Sequence, residues 1–168
     1  APYLIDVGTG TGCIALTLAK HLSKAHIEAV DSSEAALKLT WENAEKLGLS
    51  ERIVLHHNNL LSERPDETYD AIIANPPYIA TDHWHALPPS VKEFEPRAAL
   101  DAGPDGTECY EALAPEAWRS LKPNGHLFVE IGFDQGDIIQ RILKRNGFHT
   151  IELQKDIQGH DRIIHARK

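Results

Sequence analysis

The sequence is defined first by what it lacks. Among 168 residues there is no methionine, so the chain carries no initiator, and the expectation is a portion of a longer protein with a segment before it. Only two cysteines occur, Cys13 and Cys109, far apart. That excludes a disulfide framework and a cysteine zinc pattern, and it fits a reducing, cytoplasmic setting. No apolar run approaches the roughly 20 residues that cross a bilayer, and no signal-peptide pattern precedes the first apolar segment, so no membrane partner is expected. Basic clusters are missing too. The net charge is −8, with 17 Lys and Arg against 25 Asp and Glu. The densest basic groups are Lys144-Arg145 and Arg167-Lys168. A phosphate backbone rewards clustered cations, so direct nucleic-acid binding is disfavoured, whereas an acidic surface suits a basic protein partner.

What remains is the length and apolar content of one soluble domain, 42% hydrophobic, covering residues 1–168. Apolar runs alternate with helical patterns. Strands are expected at Tyr3–Val7, Ile27–Val30, Ile53–His57, Tyr69–Ala74 and His126–Ile131, then at His149–Leu153 and Ile163–Ala166. Helices are expected at Ile14–Leu22, from Ser32 or Ser33 to about Leu47, at Tyr110–Leu121 and at Gln135–Asn146. Lys122-Pro123-Asn124-Gly125 reads as a turn. The stretch 79–109, with Pro88, Pro89, Pro96, Pro104, Gly103 and Gly106, breaks the alternation, and a connection this long is functional or disordered. The pattern specifies an α/β fold: a doubly wound, seven-stranded, mostly parallel sheet with helices on both faces and a terminal antiparallel hairpin.

Two motifs carry chemistry. The first strand runs into Asp6-Val7-Gly8-Thr9-Gly10-Thr11-Gly12, where alternate glycines let the backbone approach a ligand and turn sharply into a helix. Asp31, about 20 residues on, closes the second strand, where a carboxylate can accept from both hydroxyls of a ribose. Dinucleotide binders favour G-x-G-x-x-G, with a pyrophosphate on the helix N-terminus. Here the spacing is G-x-G-x-G, and the Asp6 carboxylate repels phosphate but suits a cationic ligand such as S-adenosylmethionine. The second motif, Asn75-Pro76-Pro77-Tyr78, follows the fourth strand. Each proline fixes its φ, removes a donor and biases the preceding residue to extended geometry. The result is a stiff turn with a protruding amide, free carbonyls and a flat ring, a clamp for a planar NH2 group.

Together these motifs resemble those of the Rossmann-like class I methyltransferases that modify planar amino groups, a set that includes DNA adenine and protein glutamine methyltransferases. The clamp alone does not separate the two. Glu95-Pro96, Ala99-Leu100, Gly103 and Asp105-Gly106 resemble the long loop of the glutamine enzymes. Glu130-Ile131-Gly132, Gln135-Gly136, Asp156 and Gly159-His160-Asp161-Arg162 resemble the branch that modifies peptide chain release factors. A sister branch modifies a ribosomal protein. The resemblance covers essentially the whole chain. It implies an additional N-terminal substrate-docking domain and transfer of a methyl group to the glutamine amide of a Gly-Gly-Gln loop, leaving S-adenosylhomocysteine. It implies Asn75, Pro76 and Tyr78 as catalytic residues and Pro77 with them at the substrate. It places Asp6, Gly8, Thr9, Gly10, Thr11, Gly12, Asp31, Asn59, Leu60 and Asn75 at the cofactor. Asn59 stands where the family commonly has an Asp toward the adenine, so it offers a carbonyl oxygen and no charge. A monomer acting on a release factor is expected.

Other residues admit two readings. His83 and His85 are read as a solvated loop over a metal site, and His56-His57 as the end of a strand. Glu95 is either a loop anchor through its backbone and Pro96 or a catalytic base. Arg162 pairs with Asp156 or Asp161, or binds substrate. Trp41 and Trp118 are expected in the core or half-buried, and Trp84 on the long loop could touch substrate. A nucleic-acid adenine methyltransferase, a non-catalytic cofactor-binding domain and an oxidoreductase stand as rival functions.

Overall fold

A computed structural model describes residues 1–168. Seven strands form one sheet in the order β3-β2-β1-β4-β5-β7-β6. They are β1 (Tyr3–Val7), β2 (His26–Asp31), β3 (Ile53–His57), β4 (Tyr69–Ala74), β5 (Leu121–Glu130), β6 (His149–Lys155) and β7 (Asp161–Arg167). The pairings from β3 through to β5 are parallel, and β7 lies antiparallel between β5 and β6. The α/β expectation and the terminal hairpin are both observed. No helix is long and apolar enough to cross a membrane.

The helices are α1 (Cys13–His21), α2 (Glu34–Leu47), α3 (Pro89–Lys92), α4 (Glu108–Ser120) and α5 (Gly136–Arg145). Successive strand residues point to opposite faces, and consecutive Leu4 and Ile5 enter separate cores. Leu4 packs with Ile27, Ile53, Leu16 and Ala19 of α1 and Ala44 of α2. Ile5 packs with Ile72, Leu127, Leu113 and Ala117 of α4 and Ile139 and Leu143 of α5. A strand apolar on both faces needs helices on both, and the two cores supply them.

Local chemistry sets the boundaries of α2. The Ser33 hydroxyl accepts from the Ala36 N–H at 3.2 Å, and Gly48, at φ 67°, closes the helix in the left-handed region. Two expectations need correction. The Lys122–Gly125 turn does not precede the fifth strand but interrupts it: β5 starts at Leu121, and its register with β4 shifts between Tyr69 and Ala71. Asn124, at φ 65°, makes the bulge, and the chain end ties it down through Asn124 N–H to Lys168 C=O (3.1 Å) and Lys168 N–H to Gly125 C=O (3.0 Å). Trp41 is 42% exposed rather than core, because α2 buries only Thr40 and Ala44. Trp118 is half-buried against Phe148, edge to face at 5.3 Å.

Candidate active site

Register aligns the strand ends. Val7 lies beside Val30 on one side and Ala74 on the other, Asp31 beside His57, and Ala74 beside Val129. The loops that follow therefore share the carboxyl edge of the sheet. The chain runs outward from β1 through β2 to β3, then returns across β1 to β4. The crevice between β1 and β4 is thus the topological switch point, where open α/β sheets take their ligands. The glycine loop and the Asn75 turn flank it.

The glycine loop is built from beneath. Asp6 is 1% exposed, and its Oδ2 accepts from the Thr9 hydroxyl at 2.7 Å and the Ala15 N–H at 3.1 Å. Its Oδ1 is buried without a partner. Burial pushes the Asp6 carboxyl up to about 6; the Thr9 and Ala15 hydrogen bonds oppose the rise, and the Asp31 charge adds a little to it. Thr9 therefore directs its side chain inward, while Thr11 is exposed. Asp31 receives Gly10 N–H and Ser33 N–H, each at 2.9 Å. The Thr40 hydroxyl donates to the Gly10 carbonyl at 3.0 Å and Asn43 to the Thr11 carbonyl at 2.9 Å. Gly12, at φ 81°, admits no side chain, since a Cβ would stand 2.7 Å from Thr40 Cγ2.

After β3, Asn59 is exposed and Leu60 half-buried. The neighbouring Asn58 side chain accepts from the Asn59 N–H and the Ser62 hydroxyl, both at 2.9 Å, and fixes that turn.

The Asn75-Pro76-Pro77-Tyr78 turn lines a cavity of about 400 Å³ together with Ile79, Val91, Glu95, Ala99 and Leu100. Asn75 is exposed and its side chain has no hydrogen-bond partner in the chain; the Pro76 carbonyl likewise meets no donor. The expectation of free carbonyls holds at Pro76 but not at Tyr78, whose carbonyl accepts from Gln135 at 3.0 Å. Tyr78 is half-buried and packs against the larger core.

The stretch 79–109 folds back to make the cavity wall. It carries 3-10 turns at Thr81–Ala86 and Arg97–Ala99 flanking α3. Ile79 N–H donates to Leu100 C=O (3.0 Å), Ala102 N–H to Ile79 C=O (2.9 Å) and Thr81 N–H to Gly103 C=O (2.9 Å). Ala99-Leu100 were marked in the sequence only as part of the long-loop resemblance and Val91 not at all, because only this return of the loop brings them to the clamp. Glu95 N–H donates to Val91 C=O at 2.9 Å, so its backbone helps hold the loop, and the residue lines the cavity. Trp84 is not among the lining residues and lies instead under the Arg97 guanidinium, 5.3 Å from the ring centre. His83 and His85 are exposed, and His56-His57 end β3. Arg162 pairs with Asp156 at 3.5 Å and donates to the Ile131 carbonyl at 3.0 Å, while Asp161 pairs with Lys155 at 2.7 Å.

Residues 2–87, about half of the chain, match the methyltransferase small domain family. The chain belongs to that family. It is 40% identical over 167 residues, 99% of its length, to the release factor glutamine methyltransferase of Geobacter sulfurreducens, and covers 58% of that protein. It is 40% identical over 170 residues, 100% of its length, to the release factor glutamine methyltransferase of Rhodopirellula baltica, and covers 57% of that protein. The chain thus spans somewhat more than half the length of these curated relatives. In three dimensions it resembles the ribosomal protein L11 methylase of Lactobacillus delbrueckii subsp. bulgaricus, with a TM-score of 0.70 over 99% of this chain and 70% of that one. At 24% identity that likeness shows the fold.

Proposed function

We propose that this member of the methyltransferase small domain family transfers a methyl group from S-adenosylmethionine to the side-chain amide nitrogen of a glutamine in a peptide chain release factor. The observation that carries the reading is the Asn75–Tyr78 cavity, with an unpaired amide oxygen and an unpaired carbonyl side by side in sequence on a proline-stiffened turn. The name shared by the two relatives supports the choice of glutamine over adenine.

The residues at the carboxyl edge fit the cofactor. Gly8 and Gly10 hold positive φ, and nothing stands within 4 Å of where their Cβ atoms would lie, so the loop offers bare backbone to a ligand. The buried, unpartnered Asp6 Oδ1 leaves an acidic group beneath the loop, suited to a cation. Asp6, Gly8, Thr9, Gly10, Thr11 and Gly12 would hold the amino acid portion, Asp31 the ribose, Asn59 and Leu60 the adenine, and Asn75 the edge toward the acceptor. When bound, S-adenosylmethionine supplies a methyl group already activated on a sulfonium.

An amide nitrogen is a poor nucleophile because its lone pair is delocalised into the carbonyl. Asn75 Oδ1 accepts one amide N–H and the Pro76 carbonyl the other, which turns the nitrogen lone pair toward the methyl carbon. Tyr78 packs on the amide plane and excludes water. Such orientation is worth about 7–11 kcal/mol of barrier in the best intramolecular cases. The nitrogen would form its new bond to carbon as the methyl–sulfur bond breaks, leaving S-adenosylhomocysteine, and would then lose a proton to the solvent that reaches the exposed Asn75, so no strong base is needed.

The test is incubation of the chain with isotope-labelled cofactor and purified release factor, followed by peptide mass spectrometry. The reading expects one methyl group on a glutamine amide. Labelling of an adenine-containing oligonucleotide, or of a ribosomal protein, in place of the release factor would overturn it.

A further inference from the structure

Gln135 links three segments at one point. Its Nε2 donates to the Tyr78 carbonyl at 3.0 Å and the Gly106 carbonyl at 2.9 Å, and its Oε1 accepts the Gly132 N–H at 2.9 Å. Both amide hydrogens and the oxygen are used, and the residue is 9% exposed. Tyr78 ends the clamp, Gly106 ends the fold-back loop, and Gly132 follows β5. Gln135 occupies the N-cap position of α5, yet its side chain caps nothing there. Its side chain is therefore committed to joining loops rather than to starting the helix.

The glycines around it are shaped to the joint. At Gly106, φ is +70°, and a Cβ would stand 2.8 Å from the Tyr78 carbonyl oxygen and 3.0 Å from Gln135 Nε2. At Gly132 a Cβ would stand 2.9 Å from Gln135 Oε1. Closing the loop onto the clamp thus depends on both the glutamine amide and the bare backbone beside it.

We propose that Gln135 is a positioning residue for the acceptor site, its amide fastening the end of the Asn75–Tyr78 clamp to the loop that walls the cavity. It touches no reacting atom. It fixes where the Ile79, Leu100 and Glu95 wall stands relative to Asn75, and so how well a glutamine side chain is held. The inference deepens the proposed function and rests on it for the identity of the acceptor, but the joint is testable without an acceptor.

Gln135→Leu removes both donors and the acceptor, leaving the Tyr78 and Gly106 carbonyls and the Gly132 N–H unpaired, and Gly106→Ala wedges the same joint open with Gln135 intact. Amide hydrogen exchange on the chain alone is the first readout. Both variants should lose protection at Ile79, Thr81 and Ala102, while the β1 and β4 amides keep theirs. Methyl transfer to release factor is the second. KM for the acceptor should rise about tenfold or more, as befits the loss of a buried hydrogen bond, with cofactor affinity unchanged within about twofold. Gln135→Glu supplies a signature that loss of packing would not. A carboxylate facing two carbonyls is disfavoured, but the neutral acid restores one donation, so its activity should climb relative to wild type as pH falls. Unchanged protection at Ile79, Thr81 and Ala102 in both Gln135→Leu and Gly106→Ala would overturn the proposal. So would a flat activity ratio between Gln135→Glu and wild type across pH. If wild-type chain methylates no release factor while protection falls as described, the joint stands and the acceptor assignment fails.

Discussion

The Gly10 backbone N–H donates to the Asp31 carboxylate at 2.9 Å. The carboxylate proposed to receive a ribose is therefore also a strut of the glycine loop, and with Ser33 N–H on its other oxygen it ties the ends of β1 and β2 together. Asp31→Ala removes both functions. Cofactor affinity should fall about tenfold or more, given the worth of hydrogen bonds to a charged group, and Gly10 should lose exchange protection even without ligand. Calorimetric titration and hydrogen exchange check the two halves separately.

Beneath that loop Asp6 gives the fold a pH dependence. Burial raises its carboxyl from 3.8 to about 6, so the folded chain holds this proton more tightly than the unfolded one. The stabilisation is complete below the unfolded value and is lost as pH rises through about 6. Across that window it amounts to about 3 kcal/mol. Asp6→Asn should remove this slope. Urea unfolding of both proteins at about pH 4.5 and pH 7 should show the wild type losing more stability than the variant on going to neutral pH.

Asn75 is predicted to separate binding from transfer. Asn75→Ala leaves the glycine loop untouched and removes one contact at the proposed acceptor edge of the cofactor, so cofactor affinity should fall by no more than a few-fold. Removing one oriented acceptor should slow methyl transfer by about 100-fold or more, in keeping with losses seen when a single oriented polar group is deleted from an active site. Single-turnover assays with saturating cofactor measure this directly.

Much of the site was legible because its parts are local. Alternating glycines and a Pro-Pro pair dictate backbone geometry wherever they stand, so the loop at Gly8–Gly12 and the turn at Asn75–Tyr78 could be read without tertiary information. So could the end of α2 at Gly48, which fits the left-handed region by itself. The cavity wall was not legible. Val91 gave no signal, and the loop marked by Ala99-Leu100 could not be placed against the clamp, because the Ile79–Asp101 bridge and the Gln135 contacts that seat it have no local periodicity. Asn124 misled for a related reason: its turn geometry is real, but strand pairing continues around it through Lys168. Trp41 lies within α2 but off its narrow buried stripe at Thr40 and Ala44, which a helical position alone does not reveal.

Gly12 is the loop position least tolerant of change. Its φ of 81° lies where side chains are strained, and a Cβ would press on Thr40 Cγ2 at 2.7 Å. Thr40 is itself fully buried and holds the Gly10 carbonyl, so it cannot move without releasing the loop. Gly12→Ala should cost about 1–3 kcal/mol of stability and weaken cofactor binding with it. Gly48→Ala, where a Cβ meets nothing within 4 Å, should cost less and leave binding alone. Parallel thermal melts and titrations of the two variants decide whether crowding against Thr40 adds to the backbone strain they share.

The wall of the proposed acceptor cavity rests in part on Asp101. Its Oδ1 accepts from the Thr81 hydroxyl at 2.7 Å and the Gly103 N–H at 3.1 Å, and its Oδ2 accepts from Arg97 at 2.9 Å. The Thr81 hydroxyl and then Arg97 hold this carboxyl below its ordinary 3.8. A lowered value means that the contribution is complete above 3.8 and disappears as the carboxylate is protonated at lower pH. Protection of the Thr81 and Ala102 amides should therefore persist from neutral pH down to about 4, after correction for the intrinsic exchange rate, and fall off below. Asp101→Asn keeps one acceptor oxygen but no charge for Arg97, so it should loosen the loop wherever the wild-type carboxylate is ionised, converge with wild type at acid pH, and raise KM for the acceptor while sparing cofactor affinity. If Asp101→Asn matched wild type in both protection and KM, the Arg97 pairing would be incidental, and the wall would have to be held by the Ile79 bridge and the Gln135 joint alone.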